Sequence, residues 1–228
     1  MNTIVLNLIR KRNPAFSFDS NVSFSILLGF ILQQSFNMLR GLKLLFYFKN
    51  PKMALFGPHV KLVYPSKITL GKHLKLGRNV VLQGLGKEGI ILGNNVSLGD
   101  YSKLVVSTSL HHIGAYIKLG NNVGIGEFAY LGGAGGLEIG DDTIVGQYLS
   151  CHPENHVIDD LETPIRHQGV TRKGIKIGQN CWIGSKVTIL DGVTIGDGCV
   201  IAAGAIVTKS FPNNSIIGGV PAKIIHKR

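Results

Sequence analysis

The segment from residue 175 to residue 207 repeats every six residues. Branched aliphatic residues occupy each sixth position: Ile177, Ile183, Ile189, Ile195, Ile201 and Val207. An α-helix repeats roughly every 3.6 residues and a β-strand about every two, so neither alone produces this period. A six-residue repeat is typical of a parallel β-helix, in which short strands are joined by tight corners. We therefore predict that these aliphatic side chains point into a coil and stack from turn to turn.

The same pattern accounts for the cysteines. Small or β-branched residues lie four positions after each aliphatic residue: Cys181, Val187, Val193, Cys199 and Ala205. The remaining cysteine, Cys151, falls on an inward-facing position. An odd number of cysteines argues against a disulfide framework, and free cysteine behaves as a small apolar residue. We expect buried thiols in a reducing compartment and no catalytic cysteine.

The repeat defines how the chain is organised. It begins weakly near Gly57 and predicts a coil over residues 57–210. The distance from Ile139 to Ile177 is not a multiple of six, and the only segment without the pattern is residues 152–174. We interpret this segment as an excursion from the coil, where binding and catalysis usually lie. Residues 211–228 are predicted to form a C-terminal cap containing a short helix, which protects the last edge of the coil.

Residues 1–56 are predicted to form an N-terminal helical arm. Apolar side chains recur there at helical spacing: Leu27, Ile31, Leu39, Leu42 and Phe46. Lys11 and Arg12 precede this apolar stretch, as in a signal peptide, but no small-x-small cleavage site follows. Polar side chains interrupt the stretch and disfavour a transmembrane span: Gln33, Gln34, Asn37, Arg40 and Lys43.

Two interpretations of the arm remain open. In one, the helix packs on the next subunit or on the end of the coil. In the other, residues 22–52 form an interfacial helix that contacts a membrane through apolar side chains, with cations near the lipid phosphates. These cations are Arg40, Lys43, Lys49 and Lys52.

The overall charge favours an anionic partner. The chain of 228 residues has a formal net charge of +11, although only 16% of its residues are charged. So few charges indicate that other copies of the chain cover much of the surface. Aromatic residues make up only 7% and are not interleaved with the basic residues, so we do not expect nucleic acid as the partner. A phosphate-bearing ligand or a membrane surface fits better.

Two sequence stretches resemble a known family. They are NCWIGSKVTILDGVTIGDGCVIAAGAIVTKSFP at residues 180–212 and GGVPAKII at residues 218–225. From about Gly57 onward the chain resembles the hexapeptide-repeat acetyltransferases, which are mainly β proteins with a left-handed parallel β-helix. It is most similar to the polysaccharide and sugar O-acetyltransferases and to the galactoside, maltose and xenobiotic acetyltransferases. The resemblance implies a homotrimer, acetyl-CoA as the donor, no metal, and active sites between neighbouring subunits.

Acetyl transfer to a hydroxyl requires a base, because a neutral hydroxyl is a poor nucleophile. Histidine suits this role since its ordinary pKa is close to neutral pH. Counting forward from Thr143, the resemblance places the family's base on His156, with His152 as the alternative. Asn155 is then an acceptor contact. The carboxylate that orients the imidazole is left open among Glu154, Asp159 and Glu162.

The resemblance also implies a donor site along the last turns of the coil. Trp182 would form a wall for the acceptor or the pantetheine chain. Four small residues would allow the cofactor to approach the backbone, and an amide there would hold the oxyanion. These residues are Gly184, Ser185, Ala203 and Gly204. Thr208, Lys209 and Lys223 would contact the phosphates.

The sequence therefore predicts an acetyl-CoA-dependent O-acetyltransferase of surface polysaccharide synthesis, with direct transfer to a sugar hydroxyl. Such an enzyme is expected in the cytoplasm, at the inner face of the membrane. Three alternatives remain open: an antibiotic or amino-sugar acetyltransferase, a non-catalytic trimeric scaffold, and a zinc-dependent gamma-type carbonic anhydrase. The last would use histidines such as His111, His112, His152 and His156, although zinc needs three protein ligands and these spacings do not match that branch.

Overall fold

The structure is a computed structural model that describes residues 16–228. Three sheets of parallel strands form the three faces of a coil. The first face contains β1 (Leu55–Phe56), β4 (Lys75–Leu76), β7 (Ser97–Leu98), β10 (Gly124–Ile125), β13 (Ile144–Val145), β18 (Trp182–Ile183) and β21 (Val200–Ile201). The second contains β2 (Lys61–Val63), β5 (Val81–Gln83), β8 (Lys103–Val105), β11 (Tyr130–Gly132), β14 (Ser150–His152), β19 (Thr188–Leu190) and β22 (Ile206–Val207). The third contains β3 (Ile68–Leu70), β6 (Gly86–Leu92), β9 (Gly114–Leu119), β12 (Leu137–Ile139), β17 (Ile175–Ile177) and β20 (Thr194–Ile195).

The core is a set of side-chain stacks that run along the coil. On the first face, buried residues pair in register from turn to turn: Phe56, Leu76, Leu98, Ile125, Val145, Ile183, Ile201 and Ile217. On the second face the stack is Leu62, Leu82, Leu104, Leu131, Cys151, Ile189 and Val207. Each buried aliphatic side chain contributes about 1.5–3 kcal/mol relative to an exposed one. The predicted inward stacking of the hexad residues is confirmed.

The coil is interrupted at two places, not one. Residues 107–113, between β8 and β9, leave the coil as residues 152–174 do. The prediction that residues 152–174 are the only segment outside the pattern is therefore wrong. The distance from Leu104 to Leu119 is also not a multiple of six, and the residues between them include polar ones with no place in an aliphatic stack. Both loops leave the coil between the second and third faces.

The predicted excursion has its own structure. β15 (Asn155–His156) and β16 (Val170–Thr171) pair antiparallel at its base, and a 3-10 helix covers Ile165–His167 near its tip. The Gln168 side chain amide donates to the carbonyl oxygens of Asp160 and Thr163, both at 2.6 Å, and its Oε1 accepts from the Asp160 backbone amide. The excursion is thus held by a few polar contacts and by the pairing of two short strands.

The arm is helical, as the apolar spacing predicts. Helix α1 (Phe24–Gly41) is followed by a 3-10 helix over Leu42–Tyr47, and the Ser23 side chain caps α1 by accepting from the Ile26 amide. The helix packs on β1 and buries Leu27. Among residues 16–228, no helix meets the length and apolarity needed to cross a bilayer. Lys11 and Arg12 lie outside the described residues.

The C-terminal cap is a hairpin, so the predicted cap helix is wrong. β23 (Ser215–Gly219) and β24 (Ala222–Lys227) pair antiparallel and extend the first face. β23 pairs in parallel with β21, which places Ile217 on Ile201. β-branched isoleucines favour a strand over a helix at this position. The hairpin covers the edge that the last turn would otherwise expose.

Candidate active site

His156 lies in β15, at the base of the excursion and opposite Val170. Its side chain is exposed. Within residues 16–228, no carboxylate accepts a hydrogen bond from its ring. Glu154, one of the residues that we considered for orienting the imidazole, pairs with Arg172 instead, with Arg172 Nε at 2.6 Å from Glu154 Oε2. In the described chain the imidazole of His156 is thus accessible to an acceptor from solvent.

His152 has a more fixed position, at the end of β14. Its Nε2 lies 2.6 Å from Ser150 Oγ, and its ring stacks on Tyr130 with 5.7 Å between centroids and 23° between planes. The ring lines a cavity of about 220 Å³ that also contains Glu154 and Arg172. This cavity lies where the two loops meet. Both candidate bases are exposed, but the His152 ring is held by Ser150 and Tyr130 beside a cavity, whereas His156 lies on a hairpin.

Arg172 connects the two loops and was not among the predicted site residues. Besides Glu154, its guanidinium donates to the carbonyl oxygens of Ile113 at 3.3 Å and His112 at 3.5 Å. These contacts hold residues 107–113 against the base of the excursion. A sequence signal for this pairing exists, because the two longest breaks in the six-residue spacing fall at the same corner of the coil. That signal locates the loops, but it does not identify Arg172.

The cysteines offer no nucleophile. All three are free and buried. Burial raises the pKa of the Cys151 thiol to about 12, and burial is also the main cause that raises the pKa of Cys181. A thiol with a raised pKa stays protonated near neutral pH and reacts poorly. The interpretation of these residues as small core side chains agrees with the structure.

The predicted donor residues lie along the corner between the first and second faces. Trp182 is 57% exposed and lies beside Ile144 and Val200 on the outside of the first face. The Gly184 amide donates to Ile201 O and the Gly204 amide to Ser185 O, so neither of these amides is available for an oxyanion. These two amides maintain the coil.

Two other amides remain as oxyanion donors. The backbone N–H groups of Ser185 and Ala203 have no acceptor in the part of the chain that the structure describes. A Cβ at Gly184 would lie 2.5 Å from the Ala203 nitrogen, so the close approach of adjacent turns explains this glycine. Gly204 differs, because nothing lies within 4 Å of a Cβ built there and its φ is +73°. The corner at Ala203 and Gly204 is therefore open to a ligand.

The predicted phosphate contacts are exposed near the C-terminal end of the coil. Thr208 and Lys209 follow β22, and the Lys209 ammonium lies 5.9 Å from the Phe211 ring centroid. Lys223 lies in β24, opposite Gly218. The ammonium groups of exposed lysines can pair with phosphate groups. Thr208, Lys209 and Lys223 are therefore all accessible to an anionic ligand from solvent.

A single chain does not bring the candidate base and the donor residues together. His156 belongs to the excursion between the second and third faces, whereas Trp182 lies on the first face. No hydrogen bond or ring contact joins them among residues 16–228. The same range contains no group of three or more His, Cys, Asp or Glu residues placed to hold a metal ion. His111 and His112, considered above for zinc, have ring centroids 6.5 Å apart.

Known proteins share this sequence pattern and coil. A family model described as bacterial transferase hexapeptide (six repeats) matches residues 174–209. A putative lipopolysaccharide biosynthesis O-acetyl transferase of Escherichia coli, WbbJ, is 31% identical over 188 residues, which is 79% of this chain and 81% of that protein. A probable acetyltransferase of Mycobacterium tuberculosis is 30% identical over 182 residues, which is 80% of this chain but only 56% of that protein.

The coil also resembles a solved structure. A mutant of AntD, an N-acyltransferase from Bacillus cereus in complex with dTDP and coenzyme A, matches with a TM-score of 0.57 and 20% identity, over 75% of this chain and 85% of that chain. At this identity the likeness supports the fold alone. Together with the extent of the Escherichia coli match, it identifies the coil as a left-handed parallel β-helix. The chain belongs to the hexapeptide-repeat acetyltransferase family.

Proposed function

We propose that the chain is an acetyl-CoA-dependent O-acetyltransferase that acts on a sugar hydroxyl during the synthesis of a surface polysaccharide. One observation carries this proposal: an exposed histidine on the excursion occurs together with exposed small residues at another corner of the coil and with exposed basic residues at its C-terminal end. Similarity to a putative lipopolysaccharide biosynthesis O-acetyl transferase of Escherichia coli supports the polysaccharide context. Family membership supports acetyl-CoA as the donor.

The proposed reaction is direct transfer. The imidazole of His156 takes the proton from the acceptor hydroxyl while the hydroxyl oxygen attacks the thioester carbonyl. The new C–O bond produces a tetrahedral oxyanion, which the free amide of Ser185 or Ala203 would stabilise. When the intermediate collapses, the C–S bond breaks and the CoA sulfur receives the proton from the imidazolium. No acyl-enzyme is needed, which agrees with the buried cysteines.

The proposal requires more than one copy of the chain. His156 and Trp182 lie on different sides of the coil, so His156 of one subunit would act beside Trp182 and the Ser185 to Gly204 corner of a neighbour. The donor strip is the name that we give to these residues: Trp182, Ser185, Ala203, Gly204, Thr208, Lys209 and Lys223. A closed trimer satisfies this requirement for every subunit, because each copy contributes one base and one donor strip. Thr208, Lys209 and Lys223 would then hold the CoA phosphates.

An assay with candidate acceptors tests the reaction. Purified protein is incubated with acetyl-CoA and a panel of sugars and amino sugars, and the release of CoA thiol and the mass of the product are measured. Products that lose the acetyl group in mild alkali are esters, as proposed, whereas alkali-stable amides would indicate an amino-sugar or antibiotic acetyltransferase. If no acceptor supports CoA release and CoA causes no thermal shift, the chain is a scaffold and the proposal is wrong.

A further inference from the structure

The outer face of helix α1 is an apolar stripe. Its residues follow one another at intervals of four, four, four and three: Phe24, Leu28, Leu32, Phe36 and Leu39. They are between 39% and 60% exposed. The helix buries Leu27 and Gly41 and packs on β1. The five side chains of the stripe are not buried by this contact.

Apolar exposure continues beyond the helix. Leu45 is 57% exposed, Phe46 85%, Phe48 101% and Met53 60%. Contiguous apolar patches of this kind mark interaction surfaces on soluble proteins. We call the outer face of α1 together with these four residues the arm surface. A mostly apolar groove of about 540 Å³ adjoins it, and its lining includes Leu39, Leu45 and Phe46 as well as Arg40 and Lys43.

The charge around the arm surface is of one sign. Residues 20–87 contain ten lysines and arginines and no aspartate or glutamate. Lys43 Nζ donates to the Val60 carbonyl oxygen at 2.7 Å and Lys52 Nζ to the Leu70 carbonyl oxygen at 3.1 Å. Both partners are uncharged carbonyl oxygens, so these bonds do not neutralise the charges of Lys43 and Lys52. The arm surface is apolar and cationic together.

We propose that the arm surface docks on an anionic lipid bilayer, with α1 lying in the plane of the interface. Apolar side chains would enter the boundary between headgroups and acyl chains, and the cations would meet lipid phosphates. A second copy of the same surface is a poor occupant, because two acid-free cationic surfaces would repel each other. Docking leaves the donor strip free, since Lys209 and Lys223 lie at the far end of the coil from β1.

Vesicle flotation tests this inference on the full chain. Wild-type protein should float with vesicles of mixed phosphatidylcholine and phosphatidylglycerol, and weakly or not at all with pure phosphatidylcholine or at high salt. Phe36→Glu should lower the partition coefficient about tenfold or more, because it removes an aromatic ring that would enter the bilayer and adds a negative charge. Arg40→Ala should lower it roughly fivefold. Both side chains are exposed, so the thermal unfolding of the variants should match that of the wild type.

The matched control is Leu161→Glu, which introduces the same charge at a side chain that is 94% exposed on the excursion. It should float like the wild type. Three results would overturn the inference: no flotation of the wild type, an equal loss in Leu161→Glu, or a smaller oligomer in Phe36→Glu, which would show that another copy covers the arm surface. Flotation needs no acetyl transfer, so its failure would not bear on the proposed reaction.

Discussion

The coil and the excursion differ in what holds their residues in place. Ile183 has no exposed surface and stacks between Val145 and Ile201 in the sheet of the first face. His156 is exposed and lies on a hairpin whose base is tied by the Glu154–Arg172 ion pair. The tightly packed residues and the proposed catalytic histidine therefore lie in separate parts of this chain. A change in one part should leave the other nearly intact.

The largest expected effect concerns the base. His156→Ala should reduce acetyl transfer about 10²- to 10⁴-fold, because the acceptor hydroxyl loses its general base. Stability should not change, since the side chain is exposed. Steady-state kinetics and thermal unfolding measure the two quantities. His167→Ala, on the 3-10 helix of the same excursion, is the control.

His152→Ala sharpens the same comparison. If His152→Ala abolishes transfer while His156→Ala retains it, the base lies in the cavity beside Tyr130 and not on the hairpin. A loss in both variants would call for the pH dependence of kcat/KM. In the wild type, kcat/KM should rise with pH as the catalytic imidazole loses its proton. The variant in which this rise disappears has lost the base.

The second effect concerns the core. Ile183→Ala should lower the free energy of unfolding by about 2–5 kcal/mol, because it leaves a cavity in a continuous stack. Ile158→Ala makes the same substitution on the excursion, where the side chain is 61% exposed, and should change stability by less than about 0.5 kcal/mol. Denaturant unfolding of both variants gives the difference. Equal losses would mean that the excursion is as well packed as the coil.

The third effect concerns the contacts that anchor the excursion. Arg172→Ala should cost about 1–3 kcal/mol locally, because it removes the charged partner of Glu154 and frees two carbonyl oxygens. Hydrogen exchange should rise in residues 107–113 and 153–174 and remain unchanged in the stacks. Arg166→Ala, whose side chain is exposed on the same excursion, is the control. Faster exchange throughout the coil would refute a local role for Arg172.

The smallest effect at neutral pH concerns Cys151, the sequence neighbour of His152. Since burial raises the pKa of this thiol from 9.0 to about 12, the unfolded chain releases the proton first. Its contribution to stability is therefore complete below about pH 9 and declines as the pH rises towards about 12. Cys151→Ala should flatten that part of the stability profile.

Alkylation gives a second measurement of the same contrast. In the folded wild type, Cys151 should resist a thiol reagent at neutral pH, whereas Thr171→Cys on the exposed strand β16 should react readily. Rapid labelling of Cys151 without unfolding would show that the second-face stack opens on its own.

Much of the fold follows from local pattern. The six-residue period predicts which side chains face inward because each turn repeats the same three strands and corners, as at Ile177, Ile183 and Ile189. The helical arm follows from apolar spacing for the same reason. The cap was mispredicted because its geometry depends on pairing with β21, which no local pattern contains. The loop at residues 107–113 was missed although the spacing from Leu104 to Leu119 is not a multiple of six, because a short break in the period does not distinguish a loop from a longer corner.

The sequence pattern predicts less of the candidate site than of the coil. The position of His156 within the excursion follows from counting along the chain, but its exposure and the stacking of His152 on Tyr130 do not. The Arg172 contacts join residues about sixty positions apart. Two loops at one corner of a coil approach each other only after the turns between them have formed.

By itself the sequence determined the repeating unit, the inward residues and the family, because these depend on which residue types recur at fixed intervals. The tertiary structure decided which amides are used by the coil and which remain free, how the two loops are tied, and that His156 and the corner at Ser185 and Ala203 lie on different sides of one chain. The physical reason is that hydrogen bonds between turns and contacts between loops depend on distances in space, which a linear period does not encode. The free amides of Ser185 and Ala203 and the contacts of Arg172 are the features that the linear period predicts least.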